Sequence, residues 1–164
     1  MSTRLIPMSQ SSFERYREAA IIAYADENIT AGRWPAEGAL ERSRLDYAAL
    51  LPEGLATPDN FLHEIHAEVR STGAEPSIQV GYLWFAVVTR NGLRSGYVYD
   101  LEVYPEFRRQ GHAATAFAAM EVLARNMGLS SIGLHVFANN PGAQNLYGKL
   151  GYSVTGINMI KHLA

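Results

Sequence analysis

Asp100-Leu-Glu-Val-Tyr-Pro-Glu-Phe-Arg-Arg-Gln-Gly-His-Ala-Ala114 is the stretch on which the fold turns. A strand ends near Val103, a proline loop follows, and Arg108-Arg109-Gln110-Gly111-His112-Ala113 leads directly into a helix. The first backbone N–H groups of a helix have no partner inside it, and the helix dipole favours an anion beside them. Gly111 and Ala113 are small enough for phosphate oxygens to approach the backbone, and Arg108 and Arg109 add positive charge. The segment reads as a pyrophosphate cradle. Taken alone, it reads more readily as an ordinary loop with two arginines in water, and its surroundings reverse that.

Downstream, Gly111 to Met127 forms an Ala-rich helix with Ala116, Met120, Leu123 and Met127 on one stripe, and Gly128 stops it. Ser131 to Phe137 reads as a strand, Ala143 to Leu150 as a short helix and Tyr152 to Ile160 as a last strand. Strand, helix, strand implies a parallel pair with a right-handed crossover. Upstream, Gly96 to Val103 and Gln79 to Thr89 are strands joined by a hairpin turn at Asn91-Gly92, and Phe61 to Val69 is a looser strand. Arg4 to Met8 is a short first strand. Ser9 to Ser12 offers N-caps for a helix carrying Phe13, Tyr16, Ala20, Ala23 and Tyr24 on one face and fading before Gly32. Pro35 can open a second helix, with Leu40, Leu45, Ala48 and Leu51 as its apolar side. The fold class expected is α/β with a mixed sheet.

The composition sets limits on function. The 164 residues are 48% hydrophobic and 18% charged, which suits one domain with a substantial core. A net charge of −2 demotes a general nucleic-acid coating protein. The chain contains no cysteine, which removes thiolate metal sites and a cysteine nucleophile and fits a reducing, cytoplasmic setting. No apolar run is long enough to span a bilayer, and no signal peptide is visible. Gly142 to Leu150 brushes against a phosphate-binding P-loop, but its spacing is wrong and Leu150 stands where Ser or Thr is needed. His63 and His66, three apart on a strand, face opposite ways, so no metal is expected.

After the Arg108–Ala113 loop come a helix, an apolar strand, and Asn139-Asn-Pro-Gly-Ala-Gln-Asn-Leu-Tyr-Gly-Lys-Leu-Gly-Tyr152. Arg-x-x-Gly-x-Ala at Arg108, Gly111 and Ala113, followed by Asn140, Ala143, Leu146, Tyr147 and Gly151, resembles the GNAT superfamily of acyl-CoA-dependent N-acetyltransferases. Tyr152 stands where that pattern has Phe. Ala31-Gly-Arg-Trp34 and Leu50 to Pro58 resemble a bacterial, small-molecule-type branch, extending the likeness over most of the chain.

The resemblance implies a single domain over residues 1–164, with an acceptor-side helical region at 9–60 and a coenzyme A-binding core at 96–152. It also implies a mostly antiparallel sheet splayed at a central parallel pair. Backbone amides of Arg109, Gln110, Gly111, His112, Ala113 and Ala114 would hold the coenzyme's pyrophosphate beside Arg108. The strand at Leu101 and Val103 and the side chain of Asn140 would hold the pantetheine arm, with a backbone N–H near Val103 as oxyanion donor. Tyr147 would protonate the leaving thiolate. Arg109 departs from the family, which favours glycine there.

Acetyl transfer to an amine also needs a proton acceptor, because an alkylammonium has a pKa near ~10. Asp100 and Glu102 lie two apart on one strand and share a face, with Leu101 and Val103 opposite, so either carboxylate could relay the proton. Glu27 and His135 are outside candidates. The resemblance places the acceptor wall at Ala31 to Pro35, so Trp34 is the substrate-side residue, with Tyr24, Tyr82 and Trp84 as wall or core. The reading is an N-acetyltransferase that moves an acetyl group from acetyl-CoA directly to a primary amine, as a possible homodimer with no nucleic-acid or membrane partner. Two alternatives stand beside it: a non-catalytic acyl-CoA-binding sensor on the same fold, and a protein-interaction domain.

Overall fold

Asn91 and Gly92 both adopt positive φ, 52° and 76°, the geometry of a two-residue turn whose twist matches that of its strands. They join β3 (Ser77–Arg90) to β4 (Leu93–Val103), the two longest strands. The computed structural model describes residues 2–68 and 77–163. Around this hairpin are built β1 (Thr3–Pro7), β2 (Asn60–Glu68) and β5 (Ile132–Leu134), in the spatial order β1-β2-β3-β4-β5. All neighbours are antiparallel except β4 and β5, which are parallel. Val69, the expected end of the second strand, lies outside the described residues.

Alternation along β3 divides the core into two layers. Leu83, Phe85 and Val87 face α3 (His112–Asn126), where Ala116, Phe117 and Met120 are fully buried against them. Tyr82 and Trp84 face α1 (Gln10–Thr30) and meet Phe13, Tyr16, Ala20 and Tyr47. Ser9 caps α1, its Oγ accepting the Ser12 N–H at 3.2 Å.

Two features of β4 shape the site. Trp84 pairs with Asp100 but Phe85 pairs with Val98, so Tyr99 is an extra residue in a β-bulge. The bulge brings Tyr99 and Asp100 to the α1 face together, Tyr99 stacking on Trp84 at 4.6 Å. β4 and β5 pair only from Gly96↔Ile132 to Val98↔Leu134. β4 then runs on to Val103 while β5 has ended, so the parallel pair opens into a V from Tyr99 and His135 onward.

Three expectations are corrected. The second helix, α2 (Ala39–Leu50), starts four residues after Pro35, because Gly38 at φ 72° interrupts the helical path. Its buried side is Ala39, Ser43 and Tyr47, while Leu40 and Leu45 are exposed. Small side chains let α2 approach α1 closely, and the Ser43 hydroxyl donates to the Ile21 carbonyl at 2.6 Å. The strand expected over Tyr152–Ile160 does not form: after α4 (Pro141–Lys149), residues 153–163 are exposed and belong to no strand. The strand expected over Ser131–Phe137 shrinks to β5, since that partner would have had to pair with its outer edge.

Candidate active site

Asp100 and Glu102 share the α1 face, while Leu101 and Val103 pack into the α3-side core. Their surroundings separate the two carboxylates. Glu102 accepts the Tyr82 hydroxyl at 2.6 Å and lies 3.5 Å from the Arg108 guanidinium, so its charge is matched. Asp100 has no cationic partner among the described residues. It accepts the Tyr16 hydroxyl at 3.0 Å. Burial, with the charges of Glu27 and Glu102 nearby, pushes its carboxyl up from 3.8 to about 7, against a smaller opposite pull from Tyr16. Glu27 is itself raised, by burial and by Glu102. Tyr16 was not legible as a site residue. On α1 it reads as one more core aromatic, and only the bulge in β4 brings a carboxylate to it.

The loop after β4 divides the work expected of its two arginines. Arg108 turns back: its Nε donates to the Val103 carbonyl at 2.8 Å and its Nη2 faces Glu102. Arg108 therefore fastens the end of β4 and does not project as a free cation beside α3. Arg109 makes no described side-chain hydrogen bond or ion pair and holds φ 63°, a left-handed conformation that a side chain adopts at a cost of about 1 kcal/mol. Gly111 follows at φ 87° as the N-cap of α3, with no side chain capping the helix and open space where a Cβ would stand. The amides from 109 to 114 donate to no described acceptor. His112 contributes only its backbone there, because its ring is buried, with Nδ1 2.9 Å from the Thr3 hydroxyl.

α4 packs against α3 and the chain just after β5, with the Gln144 Nε2 donating to the Phe137 and Ala138 carbonyls at 3.1 Å. The Asn140 Oδ1 caps it, accepting the Ala143 N–H at 3.0 Å, which leaves the amide NH₂ as a donor. Tyr147 is half-buried edge-on to Phe117 at 5.6 Å, and burial followed by the charges of Asp100 and Glu27 raises its phenol above 10.0. It is therefore a neutral O–H at pH 7. Trp34 packs edge-on to Tyr24 at 5.4 Å, and its neighbour Arg33 lies over the Phe137 ring at 5.5 Å. The first contact ties the 31–34 loop to α1 and the second to the chain after β5. His135 sits edge-on to Phe137, with its ring pKa lowered by partial burial and by Arg33. The described residues contain no cluster of His, Cys, Asp or Glu able to hold a metal and no helix long and apolar enough to cross a membrane.

The Acetyltransferase (GNAT) family matches residues 39–152. The chain belongs to the GNAT family of acetyltransferases. It is 33% identical over 163 residues to the N-acetyltransferase YycN of Bacillus subtilis (strain 168), covering 99% of this chain and 100% of that one. The N-acetyltransferase YdgE of the same organism is 30% identical over 163 residues, covering 99% of each chain. The crystal structure of YycN superposes with a TM-score of 0.88 at 32% identity, over 99% of each chain. This GNAT protein is thus an enzyme that transfers an acetyl group from acetyl-CoA to an amine.

Proposed function

We propose that a primary amine enters from the Trp34 side and takes the acetyl group directly, with Asp100 as general base and Tyr147 as general acid. The single observation carrying this reading is the contrast between the two carboxylates on one strand. Glu102 is paired with Arg108, whereas Asp100 has only a neutral hydroxyl partner and a carboxyl balanced near neutrality. A base works best with a pKa near the working pH. Tyr147 is a neutral phenol within the electrostatic reach of Asp100, as a proton donor to a departing thiolate should be. Acetyl-CoA supplies the thioester. The amides from Arg109 to Ala114 and the Arg109 guanidinium meet its phosphates, and Leu101, Val103 and the Asn140 amide orient its arm. Residues 9–60 serve the acceptor side and 96–152 the coenzyme side of one domain. An acyl-CoA sensor would have no need of a base and an acid within electrostatic reach of each other.

Coenzyme binding and turnover are tested separately. At a concentration of acetyl-CoA 100 times its Kd, a ligand specific to the native state stabilises it by about 2.7 kcal/mol, raising Tm by about 5–10 °C. No rise at saturation would remove acetyl-CoA as the ligand. Tyr147→Phe is expected to keep that rise and to lower kcat, measured as free thiol released over an amine library, by about 100-fold. Unchanged turnover would take Tyr147 out of the acid role.

A further inference from the structure

Each of the two carboxylates on β4 is held by a tyrosine of its own. Tyr82, beside them on β3, donates its hydroxyl to Glu102 at 2.6 Å. Tyr16, arriving from α1, donates to the Asp100 Oδ2 at 3.0 Å. The two rings meet edge-on at 4.6 Å, and Tyr16 and Tyr82 are buried alike, at 6% and 8% exposed. Packing alone does not call for the hydroxyl of Tyr16. Phe13, one turn earlier on α1, fills the same apolar layer without one. The titratable groups that bear on Asp100 come from every element around it. They are Tyr16 and Glu27 from α1, Tyr47 from α2, Tyr82 from β3, Glu102 from β4 and Tyr147 from α4. Of these side chains, only Tyr16 is hydrogen-bonded to Asp100, and the Arg108 guanidinium is paired with Glu102.

We infer that Tyr16 is the positioning residue of the general base: its hydroxyl fixes the Asp100 carboxyl by Oδ2 and leaves Oδ1 to take the proton of the incoming ammonium. The inference rests on the reading of Asp100 as the base. A carboxylate offers about four lone-pair sites, so one phenol leaves it room for a proton. The proton passes from the ammonium nitrogen to an Oδ1 lone pair. The nitrogen keeps the electron pair with which it attacks the thioester. Burial, and then the charge of Asp100, push the Tyr16 phenol well above 10.0, so it stays a donor throughout the working range. A hydrogen bond to the ionised form favours that form. Tyr16 therefore works against the burial that pushes the carboxyl up to about 7, and the Leu101 N–H adds a smaller pull the same way. Without the hydroxyl, the base would be free only at higher pH.

NMR of the full chain labelled with ¹³C at the aspartate carboxyls tests this without an acceptor. The chain holds four aspartates, Asp26, Asp46, Asp59 and Asp100, and Asp100→Asn identifies the last by removing its signal. Wild-type Asp100 is expected to titrate near 7. Tyr16→Phe keeps the ring against Tyr82 and should raise that midpoint by about one pH unit, the scale of a hydrogen bond to a charged group. Tyr82→Phe removes an equally buried hydroxyl, but from Glu102, and should move the midpoint less than half as far. The pH profile of thiol release from acetyl-CoA, read with a primary amine from the library, should follow the carboxyl. A base half ionised at pH 7 becomes about one-tenth ionised, so kcat/KM should fall roughly fivefold there and recover by about pH 9. A midpoint that stays in place in Tyr16→Phe, or moves as far in Tyr82→Phe, overturns the inference. So does a rate lowered by one factor at every pH, which would reduce Tyr16 to packing. A carboxyl that shifts while the rate profile stays fixed would instead remove Asp100 as the base, and the inference would fall with that reading.

Discussion

Replacing Asp100 with Asn is expected to lower kcat/KM by about 10²–10⁴-fold, the range for losing a positioned general base. Asn keeps the shape and can still accept the Tyr16 hydroxyl, so the change isolates the proton acceptor. The pH profile carries the sign. The carboxyl, pushed up to about 7 chiefly by burial, accepts a proton only when ionised. Wild-type activity should therefore rise with pH through about 7, and the variant should lose that limb. Stability should move the other way. A carboxyl whose folded pKa stands above its ordinary 3.8 contributes stability that is fully present below pH 4 and is lost as pH rises through about 7. Asn stays neutral throughout. Its Tm relative to wild type should thus be higher at pH 8 than at pH 4. A variant with an unchanged rate, or with the same rising limb, would move the base elsewhere, with Glu102 and Glu27 next in line.

Legibility in the sequence followed the range of the interactions involved. The hairpin was readable because Asn91 and Gly92 satisfy a local demand for positive φ. The start of α3 was readable because a glycine able to take positive φ precedes an Ala-rich run of good helix formers. Asp100 and Glu102 sharing a face followed from strand alternation. Their division of labour did not, because it rests on Arg108 folding back five residues and on Tyr16 arriving from 84 positions away. The buried face of α2 was misread for a related reason. Hydrophobic periodicity pointed to Leu40 and Leu45, yet contact with α1 selected Ala39 and Ser43 for their size. Residues 152–160 have the composition of a strand, but a strand exists only where a neighbour supplies hydrogen bonds, and none of the described residues does so.

Gly81→Ala is expected to be the most disruptive single-methyl change in the sheet. Gly81 sits on β3 between Ile65 and Val103, with an ordinary extended backbone, so space and not φ is the constraint. An added Cβ would overlap the Glu102 carbonyl oxygen and stand 3.0 Å from the Val103 Cα. Both obstacles are backbone, so no side chain can rotate away and β3 must part from β4. A cost of about 3 kcal/mol or more is expected, lowering Tm by about 6–12 °C. The displaced segment carries Asp100, Glu102 and the Val103 carbonyl that Arg108 grips, so the same methyl should also disturb catalysis. A shift of ~1 Å in the base can cost ~100-fold in rate. Gly148→Ala supplies the stability control: Gly148 lies within α4 with nothing inside 4 Å of its Cβ position, and alanine there should stabilise by about 0.5–1 kcal/mol. If Gly81→Ala melted with the wild type while Gly148→Ala rose as expected, β3 and β4 could not be as close as they stand here. The positioning of Asp100 through that contact would then fall with it.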